Sequence, residues 1–274
     1  MHYTLKEILN LAEKGDFAVP AFNVYNLETL IGVTNAAKET GAPIIIQMYS
    51  RLFDTDTGKY LAPIINEIMN TLKSPVAFHL DHGVGEKEVL RAIRFGATGV
   101  MLDVSTEPIE MNIEKTKRVV EMAKAVEIGV EGELGHIGSV NDEKWSEYTD
   151  VDEAVSYAKE TGIDALAIMV GTAHGRYAKA PKLDIQRIAD IHAKTDVHLV
   201  LHGGSGVPDD QIVAAVNAGI RKINFGTDVC YAFMDGYKRV ENESLPLDVK
   251  MSYPTDDVKQ FAIEKIKLLG ADRK

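Results

Sequence analysis

Eight short runs rich in Val, Ile, Leu and Ala alternate with longer amphipathic segments along almost the whole chain. The runs cover residues 17–23, 43–47, 76–80, 99–102, 129–133, 165–170, 198–201 and 222–225, and each predicts a buried strand. Between and after them, residues 28–39, 60–72, 87–95, 110–126, 151–160, 184–194, 209–218 and 228–240 place apolar side chains at helical spacing. Gly41, Gly96, Gly162 and Gly219 follow four of these segments closely and predict helix C-caps. A further amphipathic stretch over residues 255–269 predicts one additional C-terminal helix.

Strands that are apolar almost throughout and separated by helices predict a parallel sheet covered on its outer face. Eight such units in one α/β domain predict a closed (β/α)8 TIM barrel spanning residues 1–274. An open dinucleotide-binding sheet needs a Gly-rich turn after its first strand, whereas that turn here is Asn23-Val24-Tyr25-Asn26. A chain of 274 residues buries enough surface to fold without a disulfide or structural metal, and Cys230 has no second cysteine to pair with. These features predict a reducing, cytoplasmic setting. No apolar run is long enough to span a bilayer and no signal-peptide pattern opens the chain, so neither membrane nor secretion is expected. Lys and Arg total 30 against 41 Asp and Glu, a net charge of −11, which argues against nucleic acid as a partner. An anionic small-molecule substrate would need a local positive field, supplied by a metal or by backbone amides.

In a barrel, chemistry belongs at the C-terminal ends of the strands. Asp81 and His82 end the third predicted strand, Asp103 follows the fourth, Glu133 ends the fifth, His174 follows the sixth and His202 the seventh. Three imidazoles from three strand ends suit Zn²⁺ with an open fourth position. Gly203-Gly204-Ser205 after strand seven and Asn224-Phe225-Gly226-Thr227 around the end of strand eight lie where many barrels bind a phosphate. Metal, phosphate site and an adjacent carboxylate together point to aldol chemistry, with zinc polarising a carbonyl and stabilising the enediolate while Asp81 transfers a proton. A Schiff-base route needs a desolvated lysine near a strand top, but strands one to seven contain none and Lys222 sits in the lower half of strand eight.

At these residues the sequence resembles the class II, zinc-dependent ketose-bisphosphate aldolases, the family of fructose- and tagatose-bisphosphate aldolases. The resemblance runs through PAFNVYN (20–26), HLDHG, EGELGHIG (131–138), GTAHG, LHGGSG and INFGTD, and so covers nearly the whole chain. It implies that His82, His174 and His202 bind one zinc and that Asp81 is the proton donor. It also implies that Gly175, Gly203, Gly204, Ser205, Asn224, Phe225, Gly226 and Thr227 hold the phosphate of dihydroxyacetone phosphate, with a monovalent cation (Na⁺ or K⁺) nearby. Asp103 and Glu133 match carboxylates of a second metal position, and Asn23 and Gln47 match pocket-lining residues. A homodimer or homotetramer is implied as well.

Two departures from the family pattern bear on the substrate. The loop after strand five lacks the family's Gly-Gly-Glu-Glu sequence; Glu143 and Glu147 are its candidate bases, and Trp145 marks it as a substrate-closing lid. After strand two, Tyr49-Ser50-Arg51 replaces a glycine-bearing turn, and Arg51 is suited to a phosphate or carboxylate held bidentately. Ser50 and Arg51 therefore join the candidate pocket. The expected function is reversible cleavage of a ketose 1-phosphate or 1,6-bisphosphate to dihydroxyacetone phosphate and an aldehyde. The alternatives are a zinc-dependent barrel hydrolase, whose usual His-x-His after strand one is Phe22-Asn23-Val24 here, and a non-catalytic sugar-phosphate-binding protein.

Overall fold

A computed structural model describes residues 2–140, 148–175 and 177–273. The strands are β1 (Val19–Asn23), β2 (Ile44–Tyr49), β3 (Val76–Gly83), β4 (Gly99–Leu102), β5 (Gly129–Leu134), β6 (Ala165–Ile168), β7 (His198–Leu201) and β8 (Ile220–Phe225). Each pairs in parallel with the next and β8 pairs with β1, which closes the barrel. The helices are α1 (Leu5–Gly15), α2 (Leu27–Thr40), α3 (Asp56–Thr71), α4 (Glu86–Arg94), α5 (Ile109–Lys124), α6 (Val151–Thr161), α7 (Ile185–Lys194), α8 (Asp209–Asn217), α9 (Thr227–Lys238) and α10 (Leu247–Leu268). Among the described residues no helix is long and apolar enough to cross a membrane.

The expected barrel is present, and its departures from expectation have local causes. Leu5, Ile8, Leu9 and Ala12 recur at helical spacing before the first strand and are buried, forming the unanticipated α1 behind a Thr4–Glu7 capping box. This helix lies across the N-terminal ends of the strands, where Gly99 and Gly129 make room for it. A Cβ on Gly99 would stand 2.7 Å from that of Leu5, and one on Gly129 3.0 Å. The C-terminal helix starts at Leu247, well before residue 255, and carries Pro254 in its interior, a residue that ordinarily marks a boundary. Gly41 and Gly162 are left-handed C-caps, while Gly96 and Gly219 take left-handed angles one residue beyond the caps Phe95 and Ala218.

Period-two alternation along the strands separates two environments. One face of the sheet packs under the helices: Phe225 lies 6.0 Å from Phe22 and 6.0 Å from Phe261 of α10, centroid to centroid. The other face lines the lumen, and there buried polar side chains share the space with apolar ones such as Ile45, two residues before Gln47 on β2. Lys222 of β8 reaches Glu131 of β5 at 2.9 Å. Those strands are not neighbours in the sheet, so this contact crosses the interior.

Candidate active site

At the C-terminal mouth of the barrel a cavity of about 410 Å³ opens, lined by Asn23, Asp81, His82, His174 and Asn224 among others. The end of β3 is built to deliver two adjacent residues to it. Pairing with β4 shifts register between Leu80 and Gly83, and His82 takes a left-handed φ of 50°. A bulge of this kind re-aims side chains, so Asp81 and His82 both line the cavity rather than facing opposite sides of the sheet. His174 arrives on the loop after β6, tied to the segment after β5 by the Val140 N–H to its carbonyl and by its own N–H to Gly138. His202 follows β7 directly.

The three imidazoles meet. His82 lies 4.8 Å from both His174 and His202, ring centroid to centroid, and His174 lies 5.7 Å from His202. One nitrogen from each falls within 4.8 Å of the others, and His82, Asp103 and Glu133 satisfy the same condition as a second set. The hydrogen bonds also prepare the nitrogens for a cation. His82 Nδ1 is 2.7 Å from Asp103 Oδ2, and His202 Nε2 is 2.8 Å from Glu131 Oε1. With both carboxylates ionised, each ring donates outward, leaving His82 Nε2 and His202 Nδ1 bare and 3.1 Å apart. Two lone pairs at that distance repel unless a proton or metal ion lies between them. His174 Nε2 is buried without a hydrogen-bond partner. The donor set therefore fits a zinc ion.

Electrostatics agree with that fit. Burial alone would lower the His82 pKa, but Asp81, the bond to Asp103 and Glu133 outweigh it and raise it to about 9. Burial and the neighbouring His82 pull His174 down to about 4, and the same two influences, with Lys222, hold His202 well below the usual imidazole range. Burial and the charge of Asp103 push Glu133 up to about 8. Asp103 is itself held below the usual carboxylate range, its burial overcome by the bond to His82 and those from Ser105. One cationic equivalent is thus already shared by this cluster, in the place a metal would take.

Asp81 is fixed by two amide relays. Gln47 Nε2 donates to Asn23 Oδ1 at 2.9 Å, which turns Asn23 Nδ2 toward Asp81 Oδ2 at 2.7 Å. Asn224 Nδ2 donates to the other oxygen, Oδ1, at 3.2 Å. Each carboxylate oxygen receives one N–H, so its orientation toward the cavity is set. Gly175, Gly203, Ser205, Gly226 and Thr227 line the same cavity where α9 begins, and a helix N-terminus favours an anion. Gly203 has a φ of 63°, and a Cβ there would lie 2.4 Å from the Ala173 carbonyl oxygen.

Not every candidate reaches the cavity in the expected way. The Gly204 N–H is bonded to the Asn224 carbonyl, so it does not face an anion. Phe225 turns its ring into the outer packing, as alternation from Asn224 requires. Gln47 is buried beneath the cavity and acts through Asn23. Ser50 is buried at the start of a short 3-10 turn and is not among the lining residues, whereas Arg51 is, with its guanidinium carbon 4.5 Å from the centre of the Tyr49 ring. Glu143, Trp145 and Glu147 lie outside the described residues. Residues not anticipated as lining are Tyr25, Tyr49, Ile137, Gly138 and Ser139. Burial, then Cys230, raises the Tyr25 hydroxyl far above its ordinary pKa, making it a neutral donor at the wall. Beneath the site, Glu131, Lys222 and His79 are fully buried in the lumen. Their signal was the alternation of polar with small or apolar residues inside the runs GVEGEL for Glu131, IRKINF for Lys222 and VAFHLDHG for His79.

Comparison with known proteins identifies a family and a shared fold. The family model for class II fructose-bisphosphate aldolase matches residues 3–274. The YdjI aldolase from Escherichia coli K12 is similar at 33% identity, with a TM-score of 0.91 over 99% of this chain and 98% of that one. A putative fructose-1,6-biphosphate aldolase from Coccidioides immitis is 25% identical, with a TM-score of 0.90 over 97% and 95% of the two chains. The fructose-bisphosphate aldolase of Campylobacter jejuni, 22% identical, shares the fold with a TM-score of 0.82 over 100% and 97%.

Proposed function

The chain belongs to the class II fructose-bisphosphate aldolase family and is an aldolase, and from that premise we propose that it reversibly cleaves a ketose 1-phosphate or 1,6-bisphosphate to dihydroxyacetone phosphate and an aldehyde. His82, His174 and His202 would hold one zinc ion, with Asp103 and Glu133 offering a second position. When bound, zinc supplies Lewis-acid polarisation of a carbonyl. The observation that carries the reading is the convergence of three histidines from separate strand ends beside an oriented carboxylate.

The protein's own groups divide the remaining work. Asp81, with both oxygens fixed by Asn23 and Asn224, moves the proton of the hydroxyl beside the bond that breaks. Gly175, Gly203, Ser205, Gly226 and Thr227 hold the phosphate at the start of α9, with a monovalent cation beside them. The guanidinium of Arg51, set over Tyr49, binds an anionic group on the aldehyde partner. Glu143 on the loop after β5 removes the substrate's carbon-bound proton. The enzyme acts as a cytoplasmic homodimer or homotetramer.

A screen of aldehydes condensed with dihydroxyacetone phosphate, run on metal-depleted and zinc-reloaded enzyme, tests the proposal. Condensation should vanish on depletion, return with Zn²⁺, and leave no borohydride-trapped adduct. Activity that survives complete metal removal, or a trapped lysine adduct, overturns it.

A further inference from the structure

We infer that Lys222 is the positioning residue that joins the metal-binding arm of the site to its proton-transfer arm; this rests on the roles proposed above for His202 and Asp81. Lys222 and Glu131 are fully buried in the lumen, and Nζ stands 2.9 Å from Glu131 Oε2 and 2.7 Å from Asn224 Oδ1. An ammonium only donates and an ionised carboxylate only accepts, so the polarity of each contact is fixed.

Two consequences follow from that polarity. Lys222 engages Oε2 of Glu131, leaving Oε1 to accept the His202 Nε2–H at 2.8 Å. The bare Nδ1 of His202 then faces His82. The same ammonium also fixes the flip of the Asn224 amide. Because Oδ1 accepts from Lys222, Nδ2 must point the other way, where it donates to Asp81 Oδ1 at 3.2 Å. An apolar side chain at 222 frees the amide to turn its carbonyl toward the Asp81 carboxylate, acceptor against acceptor. The Gln47–Asn23 relay serves only the second oxygen of Asp81, so it does not replace this function.

Lys222→Met and the double variant Lys222→Met/Glu131→Gln test the inference, with the full-length parent as control. Three quantities are measured: zinc affinity by chelator competition, thermal melting, and, at saturating zinc, the ratio of cleavage to solvent exchange of the C3 proton of dihydroxyacetone phosphate. In Lys222→Met, zinc affinity should fall about 10–100-fold, the usual cost of losing a group that orients a metal ligand. Cleavage should fall at least about tenfold more than exchange, because only cleavage uses Asp81. In the double variant the amide carbonyl introduced at position 131 still accepts from His202 and no buried charge is left unpaired, so zinc affinity should recover while the cleavage deficit persists. The double variant also carries the test if the single one does not fold. A cleavage-to-exchange ratio equal to the parent's in the folded variants, or zinc affinity and cleavage recovering together, overturns the inference and leaves Lys222 a packing element. A parent that binds no zinc overturns instead the reading on which it rests.

Discussion

The two faces of the same eight strands make opposite demands on their side chains. Under the helices the sheet presents residues such as Ile46, Phe78, Leu166 and Phe225, all without exposure, and the requirement there is volume. Toward the axis the strands present Gln47, His79, Glu131, Glu133 and Lys222, equally without exposure, and the requirement there is pairing. The apolar face tolerates exchange of one hydrophobe for another of similar size at modest cost. The polar groups of the axial face do not, because Lys222, Glu131, His202, Asn224 and Asp81 are joined in one chain of bonds and a change at one residue propagates through it. The shell holds the barrel together, and the lumen holds the site in one geometry.

Substitutions that strike one face alone sharpen this contrast. The largest effect belongs to Asp81→Ala: zinc binding should persist, while steady-state cleavage falls by about 10²–10⁴-fold, the usual contribution of a general acid or base. Near-parental turnover would remove Asp81 from the reaction. Asp103→Asn comes next. Losing the ionised acceptor for His82 Nδ1, 2.7 Å away, should weaken zinc by about 10–100-fold in a chelator competition while the melting temperature moves little.

A pH series probes the same residue without mutation. In the metal-free site the neighbouring carboxylates raise the His82 pKa to about 9, so zinc must displace a proton at neutral pH. Raising pH removes that competitor. Apparent zinc affinity should therefore climb by about tenfold per pH unit between pH 6 and pH 8, with release of about one proton in calorimetry. A flat profile contradicts His82 as a ligand. The smallest effect is expected on the shell: Ile188→Val in α7 should cost about 0.5–1.5 kcal/mol in denaturant unfolding and leave zinc affinity and turnover unchanged. A change in turnover there would break the separation of the two faces.

The barrel was legible because its outer face repeats one simple rule, an apolar strand followed by an amphipathic helix, at every unit. His82, His174, His202 and Asp81 were legible for the opposite reason, as polar residues interrupting that rule at strand ends. Glu131 and Lys222 lie inside strands, where a charge reads as a flaw in an apolar run until the barrel is closed and β5 faces β8 across the lumen. The phenyl ring of Phe225 turns away from the phosphate site by alternation: its neighbour Asn224 faces inward, so the ring cannot. The bulge at His82 depends on pairing with β4 and has no signature in HLDHG itself. Helix α1 escaped attention because it precedes the first strand and belongs to no repeating unit.

That helix has a practical meaning for anyone handling the protein. Leu5, Ile8, Leu9 and Ala12 cork the lower end of the lumen, and Arg221 of β8, next in sequence to Lys222, donates to Glu13 of α1 at 2.9 Å. Trimming the first dozen or so residues as a dispensable leader would let solvent in from below, weakening by dielectric screening the attraction between Lys222 and Glu131. An affinity tag belongs beyond Arg273, not spliced into the cork.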